Sequence, residues 1–487
     1  MKNYFLYIFI ILVIVSQAQQ GFQINISSDN DEIFYSVAED LEGNYVFVGT
    51  IREIFPSYHK LSPYFAKISQ NGDIIRETVI EADTINLNLY QVIPLDNGNY
   101  LFAGKKGDTL SGNYKYIYTL LTDSSFKVLK TNQYHIPDIY TNIYYKQTYI
   151  KEDNGEFIIC GKLIYYDTNG DMFLCRIDNE ARILDFQNYI YPGHNQHPIG
   201  ITKKENSDIY NIIGTSFYAY GPIEILEIDT SFEVQNNQIL NTMVSISESR
   251  TIQKFTDSTF ILGGRYSTMN PNDQNLMVVE FDTNQVIYNE VILGRDSVPE
   301  YPAWNKCIDF YDKNDIYVSG FRGGAWWYPY RDYVQIWLLD SCLNLKAYKY
   351  FGGDANYHVR SILATSDKGC IAVATRYIES YGDQRDIFII KVFEDELISS
   401  VNEITDLYDK KAIIYPNPGS EYLIINNSQK NTDFKLYNSQ GIVVIQKNSI
   451  TENMAKVNTQ HLPEGIYYYS IKENSEIIQK GKWIKSQ

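Results

Sequence analysis

The chain has 487 residues, of which 44% are apolar, and it carries a net charge of −17. This length exceeds one ordinary domain and allows a sizeable core. The acidic balance excludes nucleic acid as a partner, because nucleic acid is bound through a basic footprint, and it disfavours anionic lipid surfaces.

Residues 1–18 have the pattern of a secretory signal peptide. A minimal positive start is followed by an apolar or aromatic run from Phe5 to Val15, and Ser16-Gln17-Ala18 favours cleavage after Ala18. The run is short for a membrane span, which needs about 20 residues; a retained N-terminal anchor is the alternative. No later apolar run reaches that length, so we expect no transmembrane segment in the mature chain.

One sequence pattern recurs seven times between residues 32 and 393: an apolar strand ends in a small residue, and a second apolar strand runs into a turn. The small residues lie 50–57 residues apart, at Gly49, Gly104, Gly161, Gly214, Gly264, Gly320 and Ala374. A fixed period of this kind is the signature of a repeat architecture. The runs are short, rich in β-branched and aromatic residues and bounded by Asn-Gly turns, so they are predicted to be strands.

Each period holds four such runs; in the sixth they are Lys306–Phe310, Ile316–Ser319, Val334–Leu339 and Leu345–Tyr350. Four antiparallel strands repeated radially are typical of a β-propeller blade. We therefore predict an all-β chain with a seven-bladed β-propeller at 19–395, and an elongated array of independent β modules is the alternative. The third strands run into Asp123, Asp178, Asp229, Asp282 and Asp340, a pattern that resembles a loosely defined repeat of secreted bacterial propellers and implies no specific activity.

The seventh repeat offers three strands and then breaks off. An open ring would leave unpaired strand edges. The segment Phe22–Ile26 stands before the first repeat as Tyr348–Phe351 stands before the seventh. The sequence therefore predicts that this N-terminal strand pairs into the last blade and closes the propeller.

The loops between second and third strands are long and aromatic, and such loops on a rigid scaffold are where binding tends to occur. The densest patch is Trp326, Trp327, Tyr328 and Tyr330 beside Arg322. Trp304 and Tyr218 belong to the same predicted face, which suits a glycan or an extended polypeptide. The alternative is that these aromatics fold into small local cores, because the chain is rich in tyrosine throughout.

No cofactor is predicted. Asp167, Asn169 and Asp171 space oxygen atoms at alternate residues, as in a calcium loop, but Ca²⁺ needs six to eight oxygen ligands and the loop is incomplete. An ordinary polar turn is the other interpretation. Cys160 and Cys175 lie on neighbouring strands, where either one disulfide or two buried thiols would fit.

The sequence contains no nucleophile elbow, P-loop or zinc-protease helix. We therefore expect a non-catalytic binding or adhesion protein. A polysaccharide-active enzyme with two carboxylates at the channel mouth is the alternative, and a structural surface component is a third possibility. With 59 acidic residues, the sequence cannot select a catalytic pair.

A polar, acidic stretch at 396–411 is predicted to be a linker, and 412–487 a small C-terminal β-sandwich of short strands between Asn, Pro and Gly turns. Four ordered motifs stand out. They are Tyr415, Pro416, Asn417 and Pro418; a hairpin turn at Gly441; Gly465, Ile466 and Tyr467; and a closing segment with Lys482 and Lys485.

These motifs together resemble the type A C-terminal sorting domain of the type IX secretion system, over residues 413–487. The resemblance implies export in two stages, first by the signal peptide and then by outer-membrane secretion machinery that reads the folded sorting domain. The implied partner is that machinery, and the implied location is outside the cell, secreted or attached to the outer surface.

Overall fold

The computed structural model describes residues 21–54, 59–81, 85–108, 113–165, 169–190, 196–204, 207–216, 223–240, 246–267, 274–284, 286–294, 299–322, 332–378, 384–399, 412–415, 417–427, 431–452, 454–473 and 476–486. Nearly all of its regular structure is β-strand, as the repeat pattern predicts. Within these ranges, no helix has the length and hydropathy that crossing a membrane requires.

Between residues 22 and 393, the strands in the described ranges form seven sheets. The chain enters through β1 (Phe22–Ile26). The first sheet then contains β2 (Asp31–Glu39), β3 (Tyr45–Ile54), β4 (His59–Ile68) and β5 (Ile74–Val79); the second contains β6 (Ile85–Pro94), β7 (Tyr100–Asp108), β8 (Tyr114–Thr122) and β9 (Val128–His135). The third contains β10 (Asn142–Lys151), β11 (Phe157–Ile164), β12 (Gly170–Ile177) and β13 (Ile183–Tyr189); the fourth contains β14 (Gln196–Lys203), β15 (Tyr210–Ser216), β16 (Ile223–Ile228) and β17 (Val234–Leu240).

The fifth sheet contains β18 (Ile246–Lys254), β19 (Thr259–Ser267), β20 (Gln274–Asp282) and β21 (Ile287–Leu293). The sixth contains β22 (Glu300–Pro302), β23 (Ile308–Phe310), β24 (Ile316–Arg322), β25 (Tyr333–Leu339) and β26 (Leu345–Gly352). The seventh contains β27 (Asn356–Thr365), β28 (Gly369–Tyr377) and β29 (Arg385–Phe393). The first strand of the sixth sheet differs from the prediction, because it is split into β22 and β23 and both pieces pair with β24.

The N-terminal strand completes the seventh sheet. β1 pairs antiparallel with β29, from Phe22 opposite Lys391 to Ile26 opposite Ile387. The seventh sheet therefore has the order β1-β29-β28-β27. The strand bounds and the pairing predicted from the sequence for this segment are both present.

Neighbouring sheets contact one another through their first strands: β2 with β6, β6 with β10, β10 with β14, β14 with β18, β23 with β27, and β27 with β2. The fifth and sixth sheets are joined by a hydrogen bond from Gln253 Nε2 of β18 to Asp309 Oδ1 of β23, at 3.0 Å. The apolar cores lie between the sheets; for example, Phe34 and Phe47 of the first sheet share a core with Ile371 and Ile389 of the seventh. Hydrophobic burial between sheets is therefore the force that assembles them.

The turn that joins the third strand to the fourth has a repeated form. In the second sheet, Asp123 Oδ1 accepts hydrogen bonds from the amides of Ser125 at 2.9 Å and Lys127 at 3.0 Å. The buried Phe126 in this turn has a φ of 63°. The same arrangement recurs with the pairs Asp178 and Ala181, Asp229 and Phe232, and Asp340 and Leu343. The predicted strand-ending aspartates are thus turn residues that hold an apolar side chain under the sheet.

A short helix, α1 (Glu394–Ser399), follows the seventh sheet where the sequence predicts the start of a linker. Its Leu397 is fully buried in the core shared by the fifth, sixth and seventh sheets. The backbone amide of Gly21 donates to Glu396 Oε1 at 2.9 Å, so the helix also holds the entry to β1. The rest of the predicted linker, 400–411, lies outside the described residues.

The C-terminal segment has its own core. Its strands are β30 (Ala412–Tyr415), β31 (Tyr422–Asn427), β32 (Thr432–Tyr437), β33 (Val443–Ile450), β34 (Met454–Asn458), β35 (Gly465–Glu473) and β36 (Glu476–Lys485). They form a three-stranded sheet, β30-β31-β34, and a four-stranded sheet, β33-β32-β35-β36. Leu423, Phe434, Ile471 and Trp483 are fully buried between the two sheets.

Cys160 and Cys175 are not joined to each other. Cys160 lies in the core between the third and fourth sheets, and Cys175 lies in the core between the second and third. Side chains alternate between the two faces of a sheet, and these two cysteines point to opposite faces of the third sheet. Burial raises the pKa of the Cys175 thiol well above its ordinary value.

Candidate functional site

The first strands of the sheets carry β-bulges, and each bulge faces the small residue that the repeat pattern singled out. In the first sheet, Phe34 lies opposite Gly49 and Ser36 lies opposite Val48, so Tyr35 is the extra residue. The equivalent extra residues are Tyr90, Ile199, Arg250 and Arg360. A bulge leaves one residue unpaired and re-aims its side chain.

The small residues are required by this geometry. A Cβ atom at Gly49 would lie 1.8 Å from the carbonyl oxygen of Ile33, and one at Gly104 would lie 2.0 Å from that of Asn88. At Gly49 and Gly104 the bulged strand therefore leaves no room for a side chain, whereas the seventh sheet has Ala374 at this place. The close approach at these residues is that of the first strand in the same sheet.

The extra residues of four bulges reach solvent from strands that are otherwise buried. Tyr35, Tyr90, Arg250 and Arg360 are half-buried, whereas Ile199 is buried. The rings of Tyr35 and Tyr90 lie 4.6 Å apart across two sheets. Tyr35 and Tyr90 both raise the pKa of Arg360. We call Tyr35, Tyr90, Arg250, Trp304 and Arg360 the inner-strand cluster.

Trp304 was predicted to contact a ligand, and the structure places it in the cluster. It lies between β22 and β23, and its amide donates to the Val359 carbonyl oxygen at 3.0 Å. Its ring is 37% exposed, and the Arg250 guanidinium lies 4.6 Å from the ring centre. The ring of Phe321 stacks at a centroid distance of 6.5 Å. The split in the first strand of the sixth sheet is what positions this tryptophan.

The positive charge of Arg360 has no close negative partner among the described residues. Its Nε donates to Thr375 Oγ1 at 3.0 Å, and within the described ranges no carboxylate oxygen lies within 4.0 Å of its guanidinium. Burial lowers the pKa of Arg360 to about 10; the charge of Arg385 acts in the same direction, and Tyr35, Asp31 and Tyr90 oppose it. Its neighbour His358 packs against Phe321 at 4.9 Å, and burial together with Arg360 and Arg385 lowers the pKa of His358 to about 3. That histidine is a packed, neutral side chain.

The carboxylates beside the cluster do not form a free pair. Asp31 is buried and accepts two hydrogen bonds from Arg385, one of them from Nε at 2.5 Å, while Arg52 Nε lies 2.6 Å from its Oδ2. This ion pair joins the first sheet to the seventh. The neighbouring Glu32 is also buried, and burial, reinforced by Asp386 and Asp31, raises the pKa of its carboxyl to about 7.

A buried lysine extends the cluster into the second sheet. Lys105 on β7 is 4% exposed, and its Nζ donates to Asn142 Oδ1 at 2.8 Å. The rings of Tyr114, Tyr144 and Tyr90 surround the amine, with centroids 4.0, 4.9 and 5.3 Å away. Burial lowers the pKa of Lys105 to about 7. The ring faces favour the ammonium form and oppose that shift.

The remaining predicted ligand residues divide into two groups. Trp326, Trp327, Tyr328, Tyr330 and Tyr218 lie outside the described residues. Arg322 ends β24, opposite Glu300, and its guanidinium lies 5.9 Å from the centre of the Tyr333 ring. Its charge also acts on Asp332, whose pKa burial raises to about 8. Arg322 is thus directed towards its own sheet, while the adjacent Phe321 contacts Trp304.

The calcium interpretation stays a prediction. Asp167 lies outside the described residues, and Asn169 precedes β12. Asp171 is buried, and Tyr140 donates to its Oδ2 at 2.5 Å, as does Tyr165. The part of the chain that the structure describes contains no group of three or more acidic, His or Cys side chains arranged to hold a metal ion.

Of the inner-strand cluster, Trp304 was selected as a ligand residue from the sequence, and Tyr35, Tyr90, Arg250 and Arg360 were not. A signal exists, because Tyr35, Tyr90, Arg250 and Arg360 each stand 14 residues before the small residue of their repeat. That spacing has meaning only once the register of first and second strands is known. The aromatic residues of the long loops predicted a ligand site there instead.

In the C-terminal segment, the structure brings the first and last motifs together. Asn417 Nδ2 donates to the Lys482 carbonyl oxygen, and its Oδ1 accepts from the Ile484 amide, both at 2.8 Å. Tyr467 packs on Trp483 at 5.8 Å, and Gly465 lies opposite Lys485. The remaining motif residues keep the following places: Tyr415 ends β30, Pro418 follows a cis peptide bond, Gly441 has a φ of 78°, Ile466 is exposed, and Pro416 lies outside the described residues.

Comparison with known families identifies this segment. Residues 413–486 match the family described as the secretion system C-terminal sorting domain. The sorting domain predicted from the motifs is therefore confirmed, and it indicates export to the cell surface or the medium. A search of curated protein sequences finds no match to the chain.

Among solved structures, three resemblances to the chain are distant. The β-propeller domain of the Trilobed protease from Pyrococcus furiosus has 11% identity and a TM-score of 0.39, over 73% of this chain and 95% of that one. A subtype N11 neuraminidase-like protein of a flat-faced bat virus from Peru has 10% identity and a TM-score of 0.39, over 75% and 87%. The WD40 domain of SCAP from fission yeast has 10% identity and a TM-score of 0.36, over 77% and 99%.

Proposed function

We propose that this chain is an exported, non-catalytic binding protein that holds its ligand at the inner-strand cluster. The observation that carries the proposal is the set of bulges. The bulges place two tyrosines and two arginines halfway along first strands that are otherwise buried, and the split in the first strand of the sixth sheet places Trp304 against Arg250. Aromatic faces beside cations on a rigid scaffold are suited to recognition.

The scaffold we infer is a seven-bladed propeller closed by β1. Three observations support it. The first strands contact one another in an unbroken series, β27 and β2 included. Asp31 of the first sheet is ion-paired with Arg385 of the seventh. The first and seventh sheets share an apolar core. The ligand would then enter at the mouth of the central channel, and the predicted patch at Trp326, Trp327, Tyr328 and Tyr330 would extend the same face.

For export, we propose a type IX-like route in which the C-terminal segment is the signal. The family match at 413–486 and the contacts between its motifs support this. Deletion of 412–487 should leave the chain in the periplasm, because the outer-membrane machinery would have nothing to recognise. Fractionation and immunoblotting test this, with a chain carrying only Lys447→Gln, on β33 outside the motifs, as the control. Continued appearance of the truncated chain in the medium would contradict the route.

The binding proposal is tested with a glycan and peptide array probed with the mature full-length chain. Trp304→Ala should abolish the strongest signals while the melting temperature stays within a few degrees of wild type. The matched control is Tyr311→Ala, because Tyr311 is an aromatic residue that is 73% exposed in the turn between β23 and β24. Equal array signals from the two variants would remove the inner-strand cluster as the site.

A polysaccharide-active enzyme is the second candidate, and one observation favours it. Glu32 has a pKa of about 7 and lies next to Asp31, so it would be protonated near neutral pH as a general acid must be. Asp31, however, is engaged by two arginines, which makes it a poor partner for catalysis. Release of reducing sugar from a polysaccharide panel, lost in Glu32→Gln, would favour the enzyme.

A further inference from the structure

Within an acidic chain, the inner-strand cluster is cationic. The net charge is −17, yet Arg250 and Arg360 both belong to the cluster, and Arg385 lies close enough to affect the pKa of Arg360. Asp31, the carboxylate that acts on this group, is shared between Arg385 and Arg52. Arg52, Arg385 and Arg360 thus supply three positive charges against the ion-paired Asp31 and against Glu32, whose raised pKa of about 7 leaves it only partly ionised near neutral pH.

Arg360 in particular has donors to spare. A guanidinium carries five N–H donors in a planar fork that fits a carboxylate or sulfate. In the ranges that the structure covers, the hydrogen bond from Nε to Thr375 accounts for one of them. The side chain is half-buried, so water access to the remaining donors is restricted. A partly buried cation without a close anion is unfavourable unless a ligand supplies the anion.

The residues near Arg360 indicate which chemical groups the rest of the ligand would carry. Tyr35 and Tyr90 occupy the bulge positions of the first and second sheets that correspond to Arg360 in the seventh, and their rings lie 4.6 Å apart. Trp304 donates from its amide to the Val359 carbonyl oxygen, and the next residue, Asn305, donates from its amide to the Arg360 carbonyl oxygen at 2.9 Å and from Nδ2 to the Tyr35 carbonyl oxygen at 3.2 Å. Flat apolar faces next to an anion site suit a saccharide ring that carries an acidic group.

We propose that Arg360 binds the carboxylate of an acidic saccharide, with Tyr35, Tyr90 and Trp304 packing against its rings. This inference rests on the proposed function and names its ligand class. Neutral saccharides of the same length would lack the charged contact and bind weakly. Affinity for the acidic ligand would fall as salt is added, because part of the attraction is between opposite charges.

The experiment is isothermal titration of the mature full-length chain with two probes, a tri-galacturonate and a neutral galactotriose. Wild type should bind the acidic probe at least tenfold more tightly than the neutral one. Arg360→Gln should weaken the acidic probe by tenfold to a hundredfold and leave the neutral probe unchanged. Arg360→Lys should retain part of the affinity. The matched control is Arg182→Gln, because the Arg182 side chain is 69% exposed and pairs with Asp178 in a distant turn.

Each outcome is decisive. The melting temperature of Arg360→Gln should equal or exceed that of wild type, because a poorly compensated cation is removed; a clear fall would mean that Arg360 is a structural residue. If the neutral probe binds as well as the acidic one, or Arg360→Gln leaves the acidic affinity unchanged, the acidic ligand is wrong while the binding protein stands. If neither probe binds and the array is also blank, both proposals are overturned.

Discussion

Two regions of the repeated sheets differ in how far their residues vary. In the turn from the third strand to the fourth, an aspartate accepts backbone amides in sheet after sheet, at Asp123, Asp178, Asp229 and Asp340, and Ser69 takes its place in the first sheet. Halfway along the first strands, the bulges are equally regular in backbone, yet their extra residues are Tyr, Tyr, Ile, Arg and Arg.

The difference shows at which positions the backbone conformation restricts the residue type. In the turns, a side-chain oxygen of aspartate or serine accepts the backbone amides, so the residue type is constrained. In the bulges, the constrained residue is the small one opposite, which is glycine in most sheets and Ala374 in the seventh, so the extra residue can differ from sheet to sheet. The turns therefore follow from the fold, and the bulges are where residues are available for a ligand.

The largest expected effect is at the seam between the first and seventh sheets. Asp31→Asn should destabilise the chain by about 3 kcal/mol or more, because Arg385 and Arg52 would lose the carboxylate that neutralises them in a buried site. Urea unfolding measures this. The control is Asp96→Asn, because Asp96 pairs with Lys151 on the surface and has a side chain that is 79% exposed; it should cost less than about 1 kcal/mol. Similar losses for both would show that the seam pair is unimportant.

The second largest effect is expected at a glycine that faces a bulge. Gly104→Ala should destabilise the chain by about 3 kcal/mol, because its Cβ would meet the Asn88 carbonyl oxygen at 2.0 Å and displace Tyr90. The matched control is Gly98→Asn in the preceding hairpin, where φ is 81° and no atom lies within 4 Å of the added Cβ. Asparagine tolerates that conformation, so the change should be small. Melting curves separate the two, and an unaffected Gly104→Ala chain would argue against the steric role of the glycine.

Lys105, which follows the bulge-facing Gly104, should make the stability of the fold depend on pH. Its folded pKa of about 7 lies below the unfolded value of about 10.4. Between these values the unfolded state binds more protons, so stability should rise with pH from about 7 to 9. Lys105→Met should remove this rise, and the difference between the two chains should change by about 1–2 kcal/mol over that range. Parallel profiles would mean that the three ring faces keep the amine charged.

The smallest effect is expected in the turn from the third strand to the fourth. Asp340→Ala should cost about 1 kcal/mol at neutral pH, because two backbone amides lose their acceptor. These hydrogen bonds lower the pKa of Asp340, so its contribution is present above the unfolded pKa and is lost as pH falls through the folded one. Denaturant unfolding at pH 7 and pH 3 should therefore show a smaller difference at pH 3. A constant difference would exclude the carboxylate as the cause.

Much of the fold follows from local patterns. The segment Phe22–Ile26 was predicted with the bounds of β1, because alternating apolar residues between turns define a strand without knowledge of its partner. Two features escaped prediction. The helix Glu394–Ser399 has a single buried apolar anchor, Leu397, too little for a periodic signal. The split at 303–307 depends on its contacts with β27 rather than on its own residues.

The site was less accessible to sequence reasoning than the fold. Trp304 could be selected because it is an aromatic residue in a predicted loop between two repeats, whereas Tyr35 and Tyr90 are two tyrosines among 43. Their importance comes from the register of β2 with β3 and of β6 with β7, which sets which residue is extra. Long-range strand register is fixed by packing of the whole sheet, so the cluster becomes visible only in three dimensions.

The most direct test is a crystal structure of the mature chain with tri-galacturonate bound. The account predicts a carboxylate on the guanidinium of Arg360 and a saccharide ring against Trp304 or the Tyr35–Tyr90 pair. A ligand seated at the turns from third to fourth strands, or on residues 412–487, would contradict it.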